Sequence, residues 1–188
     1  MKTYWLALLF ILPMSANALD IRDKVRVETR SEIVKLIDPD KAIFGIPFGT
    51  TEDDFIKAYG KPNGYIQLSA TDSGMLYGSG YFFFFENKKL SGVRVTHSVL
   101  DWKISNEIKM RSPFDNLKWK LDNGIQRDMN RAEIKRILGD RLKTERGGYQ
   151  HYYETQKSRV DLDFSHMADA DQKDDASHNL FGITVQLK

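Results

Sequence analysis

Thr51-Glu52-Asp53-Asp54-Phe55-Ile56-Lys57-Ala58-Tyr59-Gly60 and Asn130-Arg131-Ala132-Glu133-Ile134-Lys135-Arg136-Ile137-Leu138-Gly139 read as one short helix written twice. Each opens on a residue whose side chain can cap a helix N-terminus, with an acidic residue three positions on: Thr51 with Asp54, Asn130 with Glu133. Each carries one apolar stripe, Phe55, Ala58 and Tyr59 in the first and Ile134, Ile137 and Leu138 in the second. Each stops at a glycine, which enters the left-handed cap conformation without a steric cost. The same register places Gly45-Ile46 on Gly124-Ile125, and farther on Leu90-Ser91-Gly92-Val93-Arg94-Val95 recurs as Leu180-Phe181-Gly182-Ile183-Thr184-Val185. Self-similarity on this scale marks a repeated supersecondary unit.

Helices of two turns are marginal alone, so they must lean on a sheet. Strand patterns supply it at 65–69, 75–77, 81–85 and 90–99, and again at 149–155, 160–165 and 181–187, with turn residues between them. The expected fold is therefore α+β: two tandem units, each a short helical segment packed on an antiparallel β-sheet. The expected boundaries are a signal peptide at 1–18, an N-terminal segment at 19–43, a first repeat at 44–112 and a second at 113–188. Within 19–43, Ile33, Leu36 and Ile37 precede the Asp38-Pro39 break and suggest a short helix or an edge strand.

The leader has Lys2, an apolar run over 5–12 and the small-residue site Ala16-Asn17-Ala18, so cleavage after Ala18 and a periplasmic or secreted product are expected. The apolar run is too short to span a bilayer, and no membrane anchor is expected. The chain has no Cys, hence neither a lipid-attachment cysteine nor a disulfide. Its formal net charge is +2, and loss of Lys2 with the leader lowers it by one. That is far from the basic excess of a nucleic-acid binder. Arg127, Arg131 and Lys135 recur every four residues and read as a solvated helix face.

Few residues carry recognisable chemistry. There is no Gly-x-Ser-x-Gly elbow, no paired-His zinc helix and no phosphate-binding Gly-Lys-Ser/Thr loop. The 4 histidines, His97, His151, His166 and His178, have no orienting partner evident in sequence. His166, Asp169, Asp171, Asp174, Asp175 and His178 crowd one insertion, but with neither the glycine nor the closing glutamate of a calcium loop. No cofactor or metal is expected. The most distinctive stretch is Tyr81-Phe82-Phe83-Phe84-Phe85, whose rings alternate between the two faces of a strand. One layer of helices covers one face, so the other is a candidate partner surface. Either the set Tyr81, Phe83, Phe85 with Tyr149, His151 and Tyr153 or the set Phe82 with Phe84 should lie there, and the first is favoured, because its hydroxyl and imidazole tips suit a wet surface.

A Gly-Ile lead-in, a capped short helix ending at Gly and aromatic-rich antiparallel strands resemble the superfamily of the small β-barrel-assembly lipoprotein of bacterial outer membranes. Two such units in tandem, over 44–95 and 119–185, are similar to the architecture of the β-lactamase inhibitory protein family. The chain departs from both: it lacks the anchoring Cys of the first and the disulfides of the second. The resemblance implies a habit of binding other proteins and names no target. The expected function is an exported, non-enzymatic protein-binding module of inhibitor or immunity type. An envelope-assembly or scaffold factor is the alternative, and a hydrolase with a cryptic site the third reading. The chain starting at Leu19 should fold without redox treatment or metal, and a chelator should leave its cooperative unfolding transition unchanged; loss of the transition would make the acidic insertion a structural metal site.

Overall fold

The computed structural model describes residues 34–96, 112–114, 117–145, 150–165 and 178–188. The leader, Tyr149 and most of the acidic insertion lie outside the described residues. The strands are β1 (Val34–Asp38), β2 (Ala42–Ile43), β3 (Ile46–Pro47), β4 (Gly64–Gln67), β5 (Asp72–Tyr77), β6 (Tyr81–Glu86), β7 (Lys89–Val95), β8 (Lys118–Leu121), β9 (Lys143–Thr144), β10 (His151–Glu154), β11 (Ser158–Phe164) and β12 (Leu180–Leu187). The helices are α1 (Glu52–Tyr59) and α2 (Arg131–Leu138), the latter running into a 3-10 turn at Gly139–Arg141.

This arrangement corrects the expected α+β pair of helix-on-sheet units. Strand predominates, and the two described helices are 8 residues each. The two meanders do not form separate sheets: they share one antiparallel sheet of 8 strands in the order β4-β5-β6-β7-β12-β11-β10-β9. A second, 4-stranded sheet has the order β3-β2-β1-β8. Its β1 is a strand, as one reading of 19–43 has it, yet it is internal: antiparallel to β2 and parallel to β8, with Leu36 opposite Lys120 and Ile37 opposite Leu121.

The physical reason for the merger lies at the seam. The last strand of each meander would otherwise present a row of unpaired backbone groups along an apolar strand. Instead β7 pairs with β12, Val93 opposite Val185 and Val95 opposite Ile183. The aligned glycines of the repeat sit at this contact. A Cβ on Gly92 would lie 2.5 Å from the Val185 carbonyl oxygen, and one on Gly182 would lie 2.9 Å from that of Val95.

Both helices begin as their sequences suggest. Thr51 Oγ1 accepts from the Asp54 backbone N–H at 3.2 Å, and Asn130 and Glu133 form the reciprocal capping box. Both end at a glycine with positive φ, 79° at Gly60 and 55° at Gly139. The ψ values of −177° and −132° lie outside the left-handed helical well, a correction to the expected cap that leaves the demand for glycine intact.

The core lies between the large sheet on one side and the helices with the small sheet on the other. Phe55 is fully buried, with ring centroids 4.7 Å from Phe83, 5.4 Å from Phe85 and 5.7 Å from Tyr77. Phe114, in the connection between the repeats, packs against Tyr59, Phe83 and Tyr81 at 5.1, 5.1 and 5.4 Å. On α2 Ile134 and Leu138 are buried in the same core as Val160, Leu162 and Ile183. The turn after β1 is tied to the β10–β11 turn: Asp40 accepts from Thr155 Oγ1 and the Lys157 N–H, and Ser158 Oγ donates to the Pro39 carbonyl. Burial opposes ionisation of Asp40, but those hydrogen bonds outweigh it and hold its carboxyl below the ordinary value.

Gly92→Ala should lower unfolding free energy by about 1–3 kcal/mol, because backbone rather than a movable side chain blocks the methyl. Gly60→Ala, where a methyl meets nothing within 4 Å, should cost about 1 kcal/mol for its positive φ alone. Equilibrium urea unfolding of both variants checks the order.

Candidate functional site

Cross-strand register sorts the large sheet into two faces. Phe83 lies opposite Met75 and Val93, and Tyr81 lies opposite Tyr77 and Val95. The series continues across the seam through Val185 and Ile183 to Val160 and Leu162, then to Tyr153 and His151. This is the face under α1, α2 and the small sheet. Phe83, Phe85 and Tyr153 are 0–1% exposed and His151 is 8% exposed. Tyr81 is half-buried and its hydroxyl donates to the Leu117 carbonyl at 3.0 Å.

The expected exposure of Tyr81, Phe83, Phe85, His151 and Tyr153 is therefore corrected: these rings belong to the core side. The polar tips that suggested a wet surface are satisfied internally. Tyr77 donates its hydroxyl to the Gly60 carbonyl at 2.7 Å, and burial pushes its phenol up to about 12. Tyr153 accepts from Asn123 Nδ2 at 3.1 Å, and burial raises its phenol well above the ordinary value. His151 Nδ1 lies 3.0 Å from Thr144 Oγ1, and its Nε2 lies 3.4 Å from Arg131 Nη1, which turns one member of the supposed solvated stripe towards the protein. The ring of Phe164 meets the imidazole edge to face at 5.3 Å.

The opposite face carries the other half of the alternation, and it divides along the seam. On the β4–β6 side lie Ile66, Leu76, Phe82 and Phe84. Phe82 and Phe84 are half-buried and meet in a T-shaped contact at 5.0 Å. Phe82 rests on Gly74, where a Cβ would come within 2.0 Å of its ring. On the β9–β12 side lie Arg159, Asp161, Asp163, Tyr152, Glu154 and Lys143, with Arg94 on β7 across the seam.

These charged groups are ordered among themselves. The Arg159 guanidinium stacks 3.9 Å from the centroid of Tyr152 while Nε and Nη2 donate to Asp161 Oδ1 at 2.9 and 2.7 Å, and Nη2 also pairs with Glu145. Gln150 Nε2 donates to the same Asp161 oxygen at 3.2 Å. Arg94 Nη2 lies 3.4 Å from Asp163 Oδ2. Burial raises the Asp163 carboxyl above its ordinary value, Arg94 pulls it down, and Asp161 adds to the rise. Lys143 Nζ lies 3.4 Å from Glu154 Oε2 and 5.8 Å from the Tyr152 ring. Among the described residues, the ring contacts, cation–π contacts and side-chain hydrogen bonds of Phe82, Phe84, Arg94, Tyr152 and Asp163 stay on the large sheet. Among the described residues no helix or small-sheet strand joins them.

Among the described residues no group of three His, Asp or Glu is placed to hold a metal ion. A pocket of about 190 Å³ beside the small sheet is lined by Trp119, Lys118, Gln126, Arg127 and Asp128. No helix among the described residues is long and apolar enough to cross a membrane. No family model, curated protein or solved structure matches this chain. Sequence reasoning separated Phe82, Phe84 and Tyr152 from the other rings but favoured the set of Tyr81 for the exposed face. The signal that could have reversed the choice is Gly74, which leaves room on that face for a ring.

Phe83→Ala should destabilise by about 3–5 kcal/mol, as for a fully buried ring, and Phe84→Ala by about 1 kcal/mol, as for a typical substitution outside the core. Thermal unfolding of the pair checks which alternation is core; equal losses would place both faces inside.

Proposed function

We propose that this chain is an exported, non-enzymatic protein-binding module that takes its partner on the sheet face away from the helices. Its most concrete form is an inhibitor or immunity-type protein, and the likeness to the tandem-repeat inhibitory family is part of the same proposal. The observation that carries it is a broad sheet face on which half-buried rings and an ordered charge network meet no other described element.

The physical chemistry of that face suits recognition. Aromatic residues and Arg concentrate at the centres of protein interfaces, where they bury much area with few rotatable bonds. Tyr152 and Arg159 are already stacked, and Arg159 is already oriented by Asp161 and Glu145. Side chains held before binding lose less freedom on binding. The split between an apolar half and a charged half gives a partner both an anchoring area and an orientation.

The mature protein, immobilised and exposed to an envelope extract, should retain one partner in one-to-one ratio. Phe84→Ala and Tyr152→Ala should each weaken that binding by about 30-fold, the equivalent of about 2 kcal/mol, and leave the fold intact by circular dichroism. An enzyme whose activity falls in the complex supports the inhibitor reading. A membrane-protein assembly retained without such a loss replaces it with the scaffold reading. Undiminished binding by both variants would remove the face from the function altogether.

A further inference from the structure

The two ends of the large sheet are unlike. At one end β9 is only 2 residues long, Lys143–Thr144, and its lysine faces Glu154. Short, charged edges resist the addition of another strand. At the other end β4 is Gly64–Gln67 and continues into Leu68, with Tyr65, Ile66 and Leu68 exposed by 53, 50 and 50%. No charged residue occurs from Pro62 to Thr71, and β4 itself contains no proline.

The hydrogen-bond phase of β4 decides which of its groups point outward. The Leu68 N–H donates to the Asp72 carbonyl at 2.8 Å, so residues 68, 66 and 64 direct their backbone groups to β5. By the alternation of an antiparallel ladder, the N–H and C=O groups of Tyr65 and Gln67 point away from the sheet. β4 is the terminal strand of the sheet, and among the described residues no further strand meets them.

We infer that a second copy of this chain adds to this edge, β4 against β4 in antiparallel sense about a two-fold axis at Ile66. Only the register centred on Ile66 engages every outward group, because it sets Tyr65 of each copy opposite Gln67 of the other. The same register packs Ile66 on Ile66 and sets Leu68 opposite Gly64, a large side chain over a vacant position. The nearest charges flanking the segment are Lys61 before it and Asp72 after it. Antiparallel pairing brings Lys61 of one copy to the end where Asp72 of the other lies, so the ends attract and the centre carries no repulsion. The dimer is isologous and closed, leaving both β9 edges outermost. A contact between strands this short is small, so association is concentration-dependent in the micromolar range and above. The inference goes beyond the proposed protein partner and does not depend on it, since the test needs only this chain.

Sedimentation velocity over micromolar to millimolar protein should show the wild type passing from monomer to dimer. Ile66→Lys and Ile66→Glu each place like charges on the two-fold axis and should weaken association by at least about tenfold. An equimolar mixture of the two variants should restore a heterodimer, because Lys then faces Glu across the axis. That rescue also shows that both variants fold. A wild type that stays monomeric throughout, a dimer indifferent to Ile66→Lys, or a mixture no better than its components would overturn the inference. Any of these would leave the open sheet face untouched as a proposal.

Discussion

The contact on which the structure depends is the pairing of β7 with β12, two strands that approach with glycine rather than side chains at the aligned positions. Gly92 lies against the Val185 carbonyl and Gly182 against that of Val95. Because this seam exists, the two meanders become one sheet, and a single inner face runs from Ser73 through Phe83, Val93 and Val185 to Tyr153. The helices can then lie on the same side of a common core. The other face is the complement of that choice, and among the described residues no helix or small-sheet strand lies against it.

The two described helices, of 8 residues each, cannot roof a sheet of 8 strands, and other described segments fill the gap. Phe114 is wedged among Phe44, Tyr59, Tyr77 and Phe83, while Ile37, Ile43, Trp119 and Leu121 bring the small sheet into the same core. The price of this roof is visible at Phe44, which adopts a φ of 56° in the tight turn between β2 and β3. The conformation is unfavourable for a side chain of this size, and burial of the ring against Tyr81, Phe83 and Phe114 offsets it. At the aligned turn the second repeat uses Asn123, whose amide bonds the Tyr153 hydroxyl. The residue that follows has positive φ in both repeats, 86° at Gly45 and 96° at Gly124, while the residue before it is held by an aromatic contact in one repeat and by a polar one in the other.

What could be read from the sequence was local. The caps at Thr51 and Asn130, the glycine stops and the hairpin-linked strands all depend on residues within a few positions of one another, and the structure has them. The merger of the sheets and the parallel pairing of β1 with β8 join segments far apart in the chain, and no turn residue signals either. The orientation of Tyr81 to Phe85 was ambiguous for another reason. Both of its faces are aromatic, so alternation separates the two sets without saying which is inside. Register with Met75 and Val93 resolves it, and register is a tertiary property. A hydroxyl is likewise a poor marker of exposure where a backbone carbonyl waits for it, as Gly60 does for Tyr77 and Leu117 for Tyr81.

The place of β12 has a kinetic consequence. It follows both of its neighbours in chain order but sits mid-sheet, between β7 and β11. During synthesis, β7 is complete long before its neighbour exists, and the first meander must wait with one side of an apolar strand unpaired. Closing such long-range pairings is slow, and the waiting edge is open to mispairing with other chains. Folding of this sheet is therefore timed by β12: neither half can be sealed early, and the sheet locks only when residues 180–187 arrive between strands already made.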